Sequence, residues 1–304
     1  MANTLSGANS VTVSNAANFI PEIWSDEIVA AYKKNLVAAN LIKKMNFRGK
    51  KGDTVHIPSP VRGAASAKAA ENAVTLQAAS VSDIAVLINK HYEYSRLIED
   101  IAEVQALTSM RQFYTDDAGY ALAKQVDTDV IQLGRGANGG DGTANYTGAY
   151  SGADGTTAYT GTAGALTDAA IRRSIQRLDD NDVPMDGRFL IVPPSSRNTL
   201  MGLARYTEQA FVGETGSGNT IRNGQIGDLY GVPVFVSSNA DTATDGDRIC
   251  LLGHKDFAVL VEQQGVRAQT QYKQEYLGTL FTSDTLYGVR ELRDGSAVAL
   301  AVPA

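Results

Sequence analysis

The chain has 304 residues, of which 43% are hydrophobic and 20% are charged, so it is long enough to bury one large core or two ordinary ones. Its formal net charge of −6 argues against a protein that coats nucleic acid over its whole surface, because phosphate binding needs clustered lysine and arginine. The single cysteine, Cys250, excludes a disulfide framework within the chain, and its apolar neighbours predict a buried side chain.

The N-terminal segment is polar at first and then amphipathic. Residues 1–13 are rich in Ser and Asn, unlike a signal peptide, and no run of about 18 or more apolar residues occurs. We therefore expect no membrane span. From Pro21 to about Lys34 the spacing of apolar residues predicts a helix. Its apolar stripe consists of Ile20, Trp24, Ile28 and Ala31.

Basic residues are concentrated near the N-terminus. The first 51 residues carry seven basic side chains against three acidic ones, Glu22, Asp26 and Glu27. The basic residues are Lys33, Lys34, Lys43, Lys44, Arg48, Lys50 and Lys51. A solvated helix face is the commoner explanation of such a charge run. The alternative is a surface that faces DNA, if the chain lines a DNA container.

The next segment predicts a long two-stranded excursion. The turn at Gly52 leads into a short alternating strand that ends at Pro58, and a second strand is predicted from Val81 to Ile88. Between them, residues 59–82 are dominated by Ala, Ser and Val, with little large apolar surface. Because an isolated hairpin is only marginally stable in water, we expect this one to rest on another molecule.

The longest helical pattern in the chain is predicted over residues 108–133. It begins at Thr108 as the cap and extends for about 26 residues, or about 40 Å at 1.5 Å per residue. The apolar stripe is formed by Tyr114, Ala118, Leu122, Val126, Val130 and Leu133. The pattern therefore predicts a long rod with one apolar side.

A composition break separates this helix from the next one. Residues 134–164 consist mostly of Gly, Thr and Ala, together with Asn, Asp and Tyr, which predicts an exposed hairpin or mobile flap. A helix is predicted from Leu166 to Leu178, with Thr167 as its cap.

The stretch from Gly187 to Asn239 predicts a strand, a helix, a long loop and a second strand. The apolar run that starts at Arg188 predicts a buried strand, and Ser195 is the predicted cap of a helix over about 197–205. After a Gly/Thr/Asn loop, the second apolar strand runs through Val234. Further strands are predicted over 266–274, 279–282, 287–292 and 297–302.

These motifs resemble a known family. An apolar strand ending in Pro, a short helix, and then Gly-Asp-Leu-Tyr-Gly-Val-Pro-Val over 227–234 leading into Ser-Ser-Asn over 237–239 is similar to the axial domain of tailed-bacteriophage major capsid proteins. Residues 248–258 fit as well, although His254 and Lys255 stand between the glycine and the aspartate of the turn. The resemblance covers nearly the whole chain.

The resemblance implies an α+β Hong Kong 97-like capsid fold. Its parts would be an N-terminal arm (1–50), an extended loop hairpin (51–88), a peripheral domain with a long spine helix, β-sheet and flap (89–164), an axial α/β domain (165–258) and return strands of the peripheral domain (259–304). The implied function is a major capsid protein that forms hexamers and pentamers in an icosahedral shell around double-stranded DNA. Portal and scaffolding proteins would be partners, and the protein would assemble in the host cytoplasm and reside in the virion.

The sequence predicts no catalytic constellation, cofactor or metal. His56, His91 and His254 fall in separate segments without zinc-ligand spacing. The glycine-rich stretch from Gly213 lacks the Lys-Ser/Thr ending of a nucleotide-binding P-loop. Two alternatives remain open: an encapsulin-type nanocompartment shell protein, which uses the same fold without a genome, and, more remotely, a soluble α/β enzyme.

Overall fold

The computed structural model describes residues 37–60, 63, 65–68, 70, 71, 73, 74, 76, 81–101, 110–203 and 227–304. Its helices are α1 (Ala38–Leu41), α2 (Met110–Gln132), α3 (Asp168–Asp180) and α4 (Pro194–Met201). The predicted helix from Pro21 to Lys34, the Thr108 cap and the stretch from Gly213 lie outside the described residues.

The strands form two larger sheets and a separate hairpin. They are β1 (Lys43–Asn46), β2 (Thr54–Pro60), β3 (Val81–Leu87), β4 (Lys90–Glu99), β5 (Tyr150–Ser151), β6 (Arg188–Val192), β7 (Asp228–Leu229), β8 (Val232–Val236), β9 (Arg248–His254), β10 (Ala258–Lys273), β11 (Gly278–Glu291) and β12 (Ala297–Val302). One sheet has the order β1-β10-β11-β4, the other has the order β5-β12-β9-β6-β8-β7, and β2 pairs with β3 alone.

The six-stranded sheet is covered on both faces, which explains why its central strands are apolar at successive positions. All five residues of β6 are buried. On one face α3 and α4 pack against Leu190 and Val192. On the other face α1, α2 and the base of the four-stranded sheet pack against Phe189 and Ile191. The main core therefore lies on both sides of β6.

The order strand, helix, strand predicted for the axial stretch is confirmed. β6 and β8 are parallel neighbours joined by a segment that contains α4. β7 and β8 form a tight hairpin with Tyr230 and Gly231 both at positive φ, a turn that suits the twist of paired strands. α3 begins as predicted, since the Thr167 hydroxyl accepts a hydrogen bond from the amide of Ala170 at 3.2 Å.

The prediction for the start of α4 is wrong. The helix begins at Pro194 instead of near residue 197, and its N-cap residue is Pro193, without a side-chain cap. Proline suits the first helical position because its φ is preset and it has no amide hydrogen to satisfy. The Ser195 hydroxyl instead donates to the carbonyl oxygen of Pro303 at 3.2 Å, which ties the helix to the C-terminal segment.

Residues 259–304 were predicted together as return strands of the peripheral domain, but β12 does not join β10 and β11 in the four-stranded sheet. β12 pairs antiparallel with β9 over Ala297 to Val302, inside the six-stranded sheet. All six of its residues are buried, as expected for a strand with both faces covered. β10 and β11, by contrast, form a long antiparallel pair in the four-stranded sheet.

The prediction of an exposed hairpin or mobile flap at residues 134–164 does not hold for two of its tyrosines, which pack on the six-stranded sheet. Tyr146 and Tyr159 are buried against Ile249 and Ala299 of the six-stranded sheet. Their hydroxyls donate to Asp241 at 2.6 Å and to Asp247 at 3.0 Å. Burial, followed by the charge of Asp241, raises the pKa of Tyr146. The two tyrosines anchor a glycine-rich segment that has few other large side chains.

Candidate assembly surfaces and basic segment

The β2–β3 hairpin has one face directed toward the rest of the chain. Val86 is fully buried and packs, together with Ile88, against Val259 and Val261 of β10. The partly buried side chain of Ile57 joins this cluster. The base of the hairpin is therefore anchored on the four-stranded sheet.

The opposite face of this hairpin, which we call the outer hairpin face, is exposed. The register pairs His56 with Ala85 and Thr54 with Leu87, so these side chains share one face. Leu87 is 55% exposed and Val81, farther out on the same face, is 65% exposed. A hydrogen bond between His56 and Asp83 crosses the strands. Exposed apolar side chains around a polar pair are typical of a protein–protein contact.

The edges of this hairpin are also available for contact. Within the described part of the chain, neither β2 nor β3 pairs with a further strand. Unpaired strand edges can accept another chain, and Pro58 and Pro60 on β2 limit strand addition there because proline has no amide hydrogen. The side chains of the outer hairpin face therefore offer a more favourable contact than its backbone edge.

A second exposed apolar surface lies at the distal end of the four-stranded sheet. β10 and β11 continue well beyond the core, and β4 accompanies β11 to Glu99. The exposed apolar side chains at this end are Leu97, Ile101, Val266, Tyr272, Tyr276 and Leu277. The register places Leu97 and Tyr272 on opposite faces, so we use the name distal sheet surface for the tip, Tyr272, Tyr276 and Leu277. The sequence predicted strands in this region but not the exposure of these apolar side chains.

The distal end is held at a bulge in β10. The register shifts twice between Glu262 and Arg267. There the Asp284 carboxylate accepts from Arg267 Nε at 3.0 Å, from Arg267 Nη2 at 2.9 Å and from Gln264 Nε2 at 2.7 Å. The hydrogen bonds from Arg267 are the main cause of the lowered pKa of Asp284. A bulge bends a strand, so these contacts fix the direction in which the distal end projects.

The basic segment is only partly described. Lys33 and Lys34 lie outside the described residues, whereas Lys43, Lys44, Arg48, Lys50 and Lys51 lie along β1 and the turn after it, and all five are exposed. β1 runs parallel to β10 at the edge of the four-stranded sheet. The structure therefore places these five cations on one exposed segment.

Not all of these cations are equally available. Arg48 Nη2 is 2.8 Å from Glu262 Oε2, so its charge is largely compensated. Lys44 Nζ donates to the neutral Asn40 side chain at 2.9 Å and keeps its charge. Lys50 Nζ lies 5.4 Å from the centroid of the Phe47 ring. Contact with DNA therefore remains a prediction that rests mainly on the lysines.

A buried polar junction positions the basic segment. The Asp127 carboxylate, fully buried on α2, accepts from the amide of Ala38 at 2.7 Å and of Ala39 at 3.3 Å, at the start of α1. It also accepts from the Asn239 side-chain amide at 3.0 Å, just after β8. Asp127 thus joins α1, α2 and the six-stranded sheet.

The described residues contain no cluster of three or more side chains that could hold a metal ion. The three histidines lie in separate places: His56 beside Asp83, His91 Nε2 3.2 Å from Asp284, and His254 Nε2 2.8 Å from the carbonyl oxygen of Asp186. Burial raises the pKa of the Cys250 thiol to about 12. No helix in the described ranges is long and apolar enough to cross a membrane.

Comparison with known proteins identifies the class of this fold. The family model described as "Phage capsid protein" matches residues 98–295. The Mycobacterium phage Che8 structure has a TM-score of 0.75 and 24% identity, with 93% of this chain and 97% of that chain covered. The cyanophage P-SCSP1u capsid structure has a TM-score of 0.75 and 17% identity, covering 99% of each chain. A search of curated proteins found no match.

The chain belongs to the phage capsid protein family. Its architecture is the Hong Kong 97-like capsid fold, which the sequence motifs had suggested. Its function is that of a major capsid protein of a tailed phage, and it acts as a homo-oligomeric component of the virion. The predicted family, fold and function are thus confirmed.

Proposed function

We propose that this subunit forms hexamers and pentamers that close into an icosahedral shell around double-stranded DNA, and that its role is structural, without catalysis. The observation that supports this most strongly is the outer hairpin face, which carries exposed apolar side chains on a hairpin too thin to bury them itself. Portal and scaffolding proteins would join the same assembly in the host cytoplasm.

The outer hairpin face would pack on a neighbouring subunit. Val81 and Leu87 project from the side of the hairpin opposite its anchor on β10. Burying a side chain of this size fully contributes about 1.5–3 kcal/mol relative to leaving it exposed. Because the contact recurs at every subunit of a ring, modest stabilisation per subunit accumulates over the shell.

The distal sheet surface would provide a second contact between subunits. Its exposed aromatic side chains, Tyr272 and Tyr276, are of a type enriched at protein interfaces. The Asp284 contacts fix its direction, so it can meet a neighbour at a defined angle. Two contact surfaces that point in different directions are what a closed lattice of identical subunits requires.

The basic segment would face the packaged genome. Lys43, Lys44, Lys50 and Lys51 are exposed along one segment, and Asp127 holds the start of that segment against the core. Clustered lysines attract DNA phosphates without base specificity, and this attraction weakens with salt. Such contacts suit DNA that must be packed regardless of sequence.

Assembly can be tested with charged substitutions on the outer hairpin face. We expect the wild-type protein to sediment as closed shells visible by negative-stain electron microscopy, and the double variant Val81→Asp/Leu87→Asp to remain as folded subunits or capsomers. Met185→Asp is the matched control, because Met185 is an exposed apolar residue outside both proposed surfaces. Closed shells from the double variant would contradict the proposed hairpin contact.

A further inference from the structure

A groove lies between α1 and the six-stranded sheet, apart from both proposed assembly surfaces. It has a volume of about 560 Å³. Its floor is apolar and is formed mainly by Leu41, Phe189, Pro233 and Phe235. Phe235 is only partly buried. An open apolar groove of this size is a favourable place for an amphipathic segment to dock.

The rim of the groove is charged. Lys43 and Lys255 both line it and are exposed, and Asp256 is also present. Lys255 Nζ lies 4.0 Å from Asp186 Oδ2, and the Asp186 side chain is fully exposed, so the lysine charge is only weakly compensated. The groove therefore favours an occupant with an apolar stripe and an acidic flank.

We propose that this groove is the docking site for the N-terminal stripe of the same chain, Ile20, Trp24, Ile28 and Ala31. The stripe has the apolar character that the floor requires. Glu27 stands three residues after Trp24 and four before Ala31, so in a helix it lies beside the stripe. It can thus approach Lys255 of the rim when the stripe lies on the floor.

The connection to the groove favours the stripe of the same chain over that of a second copy. The described chain begins at Val37, and residues 40–43 already line the groove. Residues 32–36 between the stripe and Val37 can span up to about 17 Å. A tether this short gives an effective concentration in about the millimolar range, so an intramolecular encounter is favoured.

Cysteine cross-linking tests the proposal in the full-length protein. In the double variant Ile28→Cys/Pro233→Cys we expect an intrachain disulfide, seen as a faster-migrating monomer on a non-reducing gel. The native Cys250 is fully buried, so it does not compete, and each single variant is a control. Cross-linked dimers or larger ladders would show that the stripe comes from a second copy and would overturn the proposal, as would the absence of any cross-link.

Charge reversal at the rim supplies a second measurement. In that double-cysteine protein, Lys255→Glu should slow cross-linking by about two- to fivefold, and adding Glu27→Lys should restore the rate. Lys68→Glu is the control, because Lys68 is exposed and does not line the groove, and it should leave the rate unchanged. An equal effect of Lys68→Glu and Lys255→Glu would contradict docking at this rim. These outcomes do not depend on shell closure.

Discussion

The side-chain amide of Asn239 donates a hydrogen bond to the buried carboxylate of Asp127 at a distance of 3.0 Å. This bond joins two residues that are 112 positions apart in the sequence. The same carboxylate accepts hydrogen bonds from the first backbone amides of α1. A helix start normally needs a local acceptor for its free amides. Here the acceptor comes from the middle of α2, so one side chain fixes the segment that carries the proposed DNA-facing lysines.

Loss of this carboxylate should destabilise the subunit. Asp127→Ala leaves the amide of Ala38 buried without its acceptor and removes one hydrogen bond of the Asn239 side chain, which keeps its contact with Thr128. We therefore expect a loss of about 2–4 kcal/mol in the free energy of unfolding. Urea unfolding of dissociated subunits measures it. Asp116→Ala, at an exposed position on the same helix, is the control. Equal, small losses for both variants would contradict the importance of the junction.

The two central strands of the axial region should differ in their sensitivity to truncation. Leu190 is 1% exposed, so Leu190→Ala should cost about 2–4 kcal/mol. Val234, its partner across β6 and β8, is only partly buried, so Val234→Ala should cost less, about 1 kcal/mol. Denaturant melts of both variants test the ranking, and a larger loss for Val234→Ala would contradict it.

Glu291 should make the free energy of unfolding of the subunit depend on pH. It lines a cavity of about 830 Å³ beside Asp83, Asp141, Arg290 and Asp294. Burial, followed by the charge of Asp294, raises its pKa to about 7. Because the folded state holds this proton more tightly than the unfolded chain, the contribution to stability is complete below about pH 4.5 and is lost as the pH rises through about 7.

Replacing this carboxylate should remove that dependence. Since the Glu291 side chain is only partly buried, we expect Glu291→Gln to gain on the order of 1 kcal/mol at pH 8 and to flatten the stability profile between pH 5 and 8. Thermal unfolding across this range measures the effect. Glu93→Gln, at an exposed position on β4, should keep the wild-type profile. A steep profile in Glu291→Gln would exclude Glu291 as its source.

The lysines of the basic segment should affect genome content and not folding. Replacing Lys43, Lys44, Lys50 and Lys51 by Gln should leave unfolding nearly unchanged, because exposed charges contribute little to stability. We expect less DNA retained per particle, with a larger deficit at low salt, where phosphate attraction is least screened. Nuclease-protected DNA per particle is the measurement. Unchanged DNA content would indicate that these residues form an ordinary solvated surface.

The periodic elements were predictable because their signals are local. The stripe of α2 was predicted from spacing alone, and Ala118, Leu122 and Val130 are buried. Asp127 is not part of that stripe, yet it is fully buried. Its partners belong to α1 and the segment after β8, and nothing near Asp127 in the sequence indicates them. A buried carboxylate can be predicted only when its distant donors are known.

Sheet membership was less predictable than strand position. Residues 297–302 were correctly predicted as a strand, but their pairing depends on β9, which precedes two long strands of the other sheet. Likewise, the glycine content of residues 134–164 concealed the anchoring role of Tyr146 and Tyr159, whose partners Asp241 and Asp247 lie far along the chain. The need of the hairpin for a partner was easier to predict, because an isolated two-stranded hairpin is only marginally stable in water.

Shortening the hairpin should separate folding from assembly. Replacing residues 61–73 with a short Gly-Ser connection should barely change subunit stability, because loop closure depends only weakly on length. In the proposed assembly it would also remove the end of a hairpin that contacts a neighbour at every subunit. We expect a normal circular dichroism spectrum with sedimentation as subunits or loose capsomers. A loss of the helical circular dichroism signal would instead indicate that this segment contributes to the core.

A cryo-electron microscopy map of particles assembled from the wild-type chain would show the contacts between subunits themselves. We expect a closed shell of hexamers and pentamers in which Val81 and Leu87 on the outer hairpin face are buried against an adjacent subunit. A closed shell in which these side chains face solvent, or pack only on their own chain, would exclude the proposed hairpin contact.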